Sequence, residues 1–381
     1  MIYLVYYAAS VYFAYLALKE EDKRKFYLYS VISIALPVVL AGLRAYHVGI
    51  DVSNYYRMTR YWNGASSSDS LLSYLAHYNT TGYGEYIFAL FIGIIGQLTG
   101  NYHLFLLLCH LIIVTGVYIG AFRHKDIVNP LLVLVLFYLL FFSHSLNIIR
   151  QYMAMAIIFA VLKDLEERRY CRYIVTVLVV SMIHTTALIA LGAALIYWIL
   201  YEEHHIPIRG NKIVPSMISR EIFIVAGLEL AVSSFLPIAR LLNQLHLIPA
   251  KYDYYLYPEG LTLSYIVMGL LIMELTAVYL FRELIKEKTV LFDFFVICSA
   301  SYLILQQFTG IINYGKRIAS YYSLNNILTI ALLANSFKNK KARMLVTAVI
   351  LMIALFYWWY MYVLRNASET YPYAFFSTSI K

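Results

Sequence analysis

Along the chain, runs of about 15 to 22 apolar residues alternate with short polar stretches. Neither the two-residue alternation of a barrel strand nor a long polar domain interrupts them. The runs fall at 2–18, 26–43, 85–99, 102–122, 128–143, 151–163, 173–183, 187–201, 221–237, 260–281, 289–306, 318–335 and 343–364. Those at 151–163 and 173–183 are short and are expected to extend through their polar neighbours. The pattern predicts an all-α, polytopic membrane helical bundle of about 12–14 transmembrane helices. It forms one integral membrane domain over 1–381, with outer segments at 44–84, 238–259 and 365–381. The first run lacks a basic leader and a small-residue cleavage site, so it is expected to be a retained helix.

Composition agrees. The chain is 62% hydrophobic and 13% charged, far from the balance of a soluble domain. The formal net charge of +9 resides largely in short loops, so it reads as topology and not as a nucleic-acid surface. Basic clusters at 19–25, 163–172, 209–220, 282–288 and 338–343 place those loops in the cytoplasm by the positive-inside rule. The neighbourhoods of Arg150, His184, 307–317 and the segment after Leu364 then lie outside, as does 44–84. One conflict arises, because Arg123–Lys125 also reads as inner. An odd number of crossings must separate it from 44–84, yet two apolar runs lie between. Either 85–99 and 102–122 do not both cross, with a re-entrant segment near Gly93–Gly100 as one way, or Arg123–Lys125 lies outside.

With topology set aside, the outer polar residues become informative. Arginine outnumbers lysine among the outer basic residues, and its planar fork suits phosphate or carboxylate. Arg44 directly follows the second run. In NIIRQYMA, Asn147, Arg150, Gln151 and Ala154 share one helical face, and in KRIASYY Arg317 and Tyr321 lie one turn apart. Snorkelling to lipid phosphate is the plain alternative for each arginine. His184 lies in the apolar context SMIHTTALIA; it is either satisfied by a neighbouring backbone group or serves as a proton acceptor, since histidine titrates near neutral pH. Glu85 opens the third run, where a carboxylate also favours a helix dipole, and Asp51 in DVSNYY could cap a short helix. The 38 tyrosines suit the membrane interface, while YDYYLYP at 252–258 and YPYAFF at 371–376 could equally wall a sugar site. Cys109, Cys171 and Cys298 are isolated, and no P-loop, nucleophile elbow, HExxH or metal-ligand cluster occurs.

In their order along the chain, Gly42, Leu43, Arg44, Gly49 and Asp51, then Glu85, then Arg150, Gln151 and Ala154, then His184, then Arg317 and Tyr321 resemble the EpsG-type, Wzy-like polymerases of bacterial surface polysaccharides. The match spans most of the chain. GYGEY departs from it by placing glutamate before tyrosine. The resemblance implies a GT-C-like glycosyltransferase of the bacterial cytoplasmic membrane, with its site facing outside. Its donor would be an undecaprenyl-diphosphate-linked oligosaccharide, moved onto another lipid-linked repeat unit without a metal or other cofactor. Expected partners are membrane lipids, a chain-length regulator and a flippase, and no nucleic acid.

Under that resemblance Arg44, Arg150 and Arg317 would meet the diphosphate, where charge develops on the leaving group. The base that deprotonates the acceptor hydroxyl would be His184, Asp51 or Glu85, in that order. Gln151, Tyr321, Tyr252 and Tyr255 would contact glycan. A ligase transferring the finished glycan to a different acceptor needs the same donor site. A non-enzymatic flippase of lipid-linked oligosaccharide would instead call for mid-membrane charge and paired halves.

Overall fold

A computed structural model describes residues 2–64, 85–203, 206–208, 211–247, 265–313 and 315–376. It is an all-α, polytopic membrane protein, and among the described residues its strands amount to one small hairpin. The helices, in chain order, are α1 (Ile2–Lys19), α2 (Lys23–Gly42), α3 (Val52–Gly64), α4 (Tyr86–Thr99), α5 (Tyr102–Arg123), α6 (Pro130–Ser145), α7 (Ile149–Val161), α8 (Tyr170–Ser181), α9 (Thr185–Tyr201), α10 (Met217–Gln244), α11 (Tyr265–Leu280), α12 (Phe292–Gly310), α13 (Ser323–Ser336) and α14 (Lys340–Leu364). Between α9 and α10, β1 (Ile206–Ile208) pairs antiparallel with β2 (Asn211–Ile213).

Among the described residues, six helices are long and apolar enough to cross a membrane: α1, α2, α5, α10, α12 and α14. Five more, α4, α6, α8, α9 and α11, are apolar but shorter. Several apolar runs are thus carried by helices too short to span a hydrocarbon core of about 30 Å by themselves.

Side-chain caps mark many of the starts. Asp22, Asn101, Asn129 and Ser216 each accept a backbone N–H from the first turn that follows. Pro37 sits inside α2 and cannot donate to the carbonyl of Ser33. That carbonyl instead accepts the Ser10 hydroxyl of α1 at 2.7 Å. Ser33 Oγ returns a bond to the Ser10 carbonyl at 2.8 Å, and Tyr138 OH joins Ser10 Oγ at 2.7 Å. Tyr138 opens a π-helical turn, Tyr138–Phe142, within α6.

The chain forms two compact units. The first comprises Met1–Asp164, Val175–Leu188 and Lys340–Lys381, and the second Leu165–Ile174 and Ile189–Asn339. In the first unit α5 and α7 run parallel at close range. A side chain at Gly116 would meet the Ala156 carbonyl at 2.6 Å, and one at Gly120 would meet the Phe159 ring at 2.2 Å. This Gly-x-x-x-Gly stripe lets the two backbones approach. At their C-terminal ends Arg123 pairs with Asp164 at 2.7 Å, and Lys163 donates to the Arg123 carbonyl at 2.6 Å and pairs with Asp126 at 3.4 Å. The basic residues of both loops therefore gather at one end. Gly42, whose carbonyl bonds His103 Nδ1 at 2.8 Å, and Arg150 lie toward the other.

α4 has both of its ends at the same end of the first unit. It begins at Glu85, which is bonded to Arg150, and ends at Gly100, directly before α5 starts beside Gly42. Gly100 adopts φ +58, and its N–H closes the helix on the Gly96 carbonyl. Both ends of α4 thus lie in the half of the unit that holds the outer polar residues. Its Phe88 and Phe91 pack on Phe105, and Phe88 also meets Tyr55 of α3. Over 85–123 it is α5 that runs from one end of the unit to the other.

In the second unit Arg220 closes the C-terminus of α9, donating to the carbonyls of Ile199, Leu200 and Glu202. α10, α11 and α13 pack against α12. Gln307 Nε2 of α12 donates to the Glu229 carboxylate of α10 at 2.8 Å.

Candidate functional site

Glu85 occupies the N-cap position of α4, but its side chain makes no cap bond. Its carboxylate turns to the ends of two other helices. Oε1 accepts from His184 Nδ1 at 2.5 Å and from the Thr185 N–H at 3.3 Å, and Oε2 forms an ion pair with Arg150. Backbone order sets this geometry. α8 ends as the His184 N–H bonds the Val180 carbonyl at 3.1 Å, and Ile87 N–H ties α4 to the Met182 carbonyl at 3.0 Å. Arg150 stands in the first turn of α7, its guanidinium 5.3 Å from the centre of the Phe88 ring. Glu85 is 2% exposed and His184 7%, whereas the Arg150 side chain is 35% exposed.

The protonation pattern follows from the partners. A carboxylate opposite arginine is an acceptor only, so His184 Nδ1 carries the proton. Nε2 is buried and has no hydrogen-bond partner among the described residues. Glu85 thus holds one imidazole nitrogen and leaves the other unpaired. Glu85, written in the sequence as a possible helix-dipole residue, is the hub of the cluster.

A second layer surrounds it. Asp51 begins α3, its carbonyl accepting from the N–H groups of Asn54 at 3.1 Å and Tyr55 at 3.3 Å, so DVSNYY does start a helix. Tyr55 is buried. Burial pushes its phenol up; Arg150 and Arg44 oppose this and Asp51 adds to it, so these charges share one neighbourhood. Asn147 is a clamp: Oδ1 accepts the Ile50 N–H at 2.8 Å, and Nδ2 donates to the Ser368 carbonyl at 2.7 Å. The segment 366–376 crosses this end of the unit as a strap. Gly49 N–H bonds the Glu369 carbonyl at 2.8 Å, Ala45 N–H the Ala374 carbonyl at 2.9 Å, and Phe376 N–H the Leu43 carbonyl at 2.8 Å. Tyr3 OH and Tyr373 OH fasten it further, donating to the Thr370 and Leu40 carbonyls.

Arg44 lies beneath the strap and is fully buried. Its Nη1 donates to the Ala41 carbonyl at 2.5 Å and its Nη2 to the Leu146 carbonyl at 2.7 Å. Burial pulls its pKa down to about 10, against the opposing effects of Tyr3, Tyr373 and Tyr55, which leaves a cation at neutral pH. Gln151 is buried in the first turn of α7 beside Arg150.

The structure therefore brings Arg44, Asp51, Glu85, Arg150, Gln151 and His184 into the first unit. Arg317 and Tyr321 belong to the second, on the short helices Lys316–Ala319 and Ser320–Tyr322, with Tyr321 buried. Tyr252 and Tyr255 lie outside the described residues. Among the described residues no three His, Cys, Asp or Glu side chains gather as metal ligands. Three contributors were not assigned from the sequence: the Thr185 N–H, the Asn147 clamp and the strap. Asn147 left a signal by its i, i+3 spacing to Arg150, and the strap by the aromatic cluster at 371–376.

Residues 2–375 match the model of the EpsG family. No curated protein and no solved structure matches the chain.

Proposed function

The chain belongs to the EpsG family, and from that premise we propose that it is a polysaccharide polymerase. It transfers an undecaprenyl-diphosphate-linked glycan onto a lipid-linked repeat unit at the outer face of the bacterial cytoplasmic membrane. The observation that carries this reading is the buried Glu85–His184 pair, whose Nε2 has no hydrogen-bond partner among the described residues, beside the partly exposed Arg150. His184 Nε2 takes the proton from the acceptor hydroxyl as that oxygen attacks the anomeric carbon of the donor sugar. The bond from that carbon to the diphosphate oxygen breaks, and the lipid diphosphate departs with the electron pair. Glu85 orients the imidazole and stabilises the imidazolium that forms, as the acidic member of a triad does.

Arg150 supplies positive charge toward the leaving diphosphate, where preorganised donors act on charge that develops in the transition state. Arg317, in the second unit, is kept as a proposed diphosphate contact on its sequence motif alone. Arg44, enclosed on backbone carbonyls, contributes its charge at longer range and holds α2 to the Leu146 turn. Asp51 remains near enough to share the electrostatics of Tyr55, and Gln151, Tyr321, Tyr252 and Tyr255 are proposed glycan contacts. The reaction needs no metal in this scheme, because the arginines meet the charge that a cation meets elsewhere.

The test is complementation of a polymerase-deficient strain. His184→Ala and Arg150→Ala are expected to insert in the membrane at wild-type level and to give no long polymer. Wild-type polymer length from either would remove that residue from the proposed chemistry.

A further inference from the structure

Glu274 interrupts an otherwise apolar helix, YIVMGLLIMELTAVYL, in the second unit. Its Oε2 accepts from Asn326 Nδ2 of α13 at 2.6 Å, and its Oε1 lies 3.5 Å from the Ser299 hydroxyl of α12. Ser299 Oγ in turn donates to Thr329 Oγ1 at 3.0 Å. The Thr329 hydroxyl turns its proton to the carbonyls of Asn325, at 3.2 Å, and Phe295, at 3.4 Å, which leaves its lone pairs facing Ser299. Among the described residues no lysine, arginine or histidine pairs with Glu274.

A carboxylate within apolar surroundings and without a counter-charge costs several kcal/mol. It is neutralised by a proton or by a bound cation. Asn326 separates the two. It is 5% exposed, and its Oδ1 has no hydrogen-bond partner although its Nδ2 is bonded to Glu274. Because both atoms belong to one amide, Oδ1 lies beside the carboxylate. A carboxyl protonated at Oε1 could donate to Ser299 Oγ and keep the Nδ2 bond, but it would still leave the buried Oδ1 without a partner. A cation takes Oδ1 as a ligand and leaves the Nδ2 bond in place. The donors are all oxygen, which suits a hard ion, and they carry a single negative charge, which suits a monovalent one.

We propose that Glu274, Asn326, Ser299 and Thr329 form a sodium-ion site that joins α11, α12 and α13. The site is separate from the Glu85 cluster and does not depend on the polymerase reading. Its residues come from three helices, so the ion would tie a largely lipid-facing helix to the buried α12 and α13.

The test uses the full-length protein purified in detergent with choline as the only monovalent cation. Radioactive sodium is expected to bind saturably, near one ion per chain, and to be displaced by unlabelled sodium and not by choline. Sodium chloride at constant ionic strength is expected to raise the thermal unfolding temperature of the wild type and of Glu229→Gln, with no such rise in Glu274→Gln and a smaller one in Asn326→Leu. Absence of saturable sodium binding by the wild type overturns the proposal, and so does a sodium-dependent rise that persists undiminished in Glu274→Gln. A wild-type response to pH with none to sodium would also overturn it and identify Glu274 as a proton carrier. The binding measurement on the wild type decides even where a variant fails to fold.

Discussion

Glu85 joins three chain segments far apart in sequence, through His184, Thr185 and Arg150. Replacing it affects two functions at once. Glu85→Gln removes the counter-charge of Arg150 and leaves a single amide oxygen where two carboxylate oxygens served His184 and Arg150. Losing one partner of a buried ion pair costs about 3–5 kcal/mol, and the partial exposure of Arg150 places the expected effect below that range. A lowered unfolding temperature in detergent, together with loss of polymer, is expected; an unchanged unfolding temperature would show that the pair contributes no stability. Gly49 offers a purely conformational test. It adopts φ +101, and a Cβ there would stand 2.6 Å from Asn147 Oδ1. Gly49→Ala is expected to cost about 1–3 kcal/mol, read as a reduced unfolding temperature. That Arg44, Asp51, Glu85, Arg150 and His184 merit attention was legible in the sequence, because costly groups stand out against an apolar background. Their division of labour was not. Glu85 reads equally well as a dipole residue or a base, and only the position of His184 99 residues away makes it an orienting group.

Helices were legible where an apolar run and a cap coincide, as at Asn101 and Asn129. The apolar run at 85–99 is carried by α4, whose 14 residues extend about 21 Å at 1.5 Å per residue, short of a hydrocarbon core of about 30 Å. Its Phe88 and Phe91 pack on Phe105 of α5, contacts that apolar composition does not reveal. The α1–α2 pairing supplies an element-scale test, because Ser10 occupies the carbonyl that Pro37 leaves open. Ser10→Ala leaves a buried carbonyl unpaired and is expected to cost about 1–3 kcal/mol. In a Pro37→Ala background α2 can close its own bond, so the same substitution should cost less. A double-mutant cycle on unfolding temperature measures that coupling; strict additivity would contradict the role assigned to Ser10.

At the scale of the whole molecule, sequence and structure agree on an all-α polytopic membrane protein. The basic loops at 123–126 and 163–164 meet at the end of the first unit opposite its polar cluster. By the positive-inside rule that unit is expected to stand with Arg123 in the cytoplasm and Glu85 and the strap outside. The three cysteines make this testable, since Cys109 and Cys298 are buried and Cys171 is exposed. In intact cells a membrane-impermeant maleimide is expected to leave Cys171 unmodified until permeabilisation, and to label a Tyr371→Cys variant at once. The opposite pattern would invert the topology and move the Glu85 cluster to the cytoplasm. What the sequence could not supply at this scale was the partition into two units, because the second one includes 165–174 and the first resumes at 175–188 and 340. Apolar periodicity carries no information on which helices share a core.

The central claim is that His184, oriented by Glu85, deprotonates the acceptor sugar. The most direct test is turnover by the purified protein in proteoliposomes, supplied with undecaprenyl-diphosphate-linked repeat units and no energised gradient. The wild type is expected to produce a ladder of lipid-linked oligomers with release of lipid diphosphate, whereas His184→Ala binds the donor and yields no ladder. A ladder formed by His184→Ala at the wild-type rate would contradict the assignment.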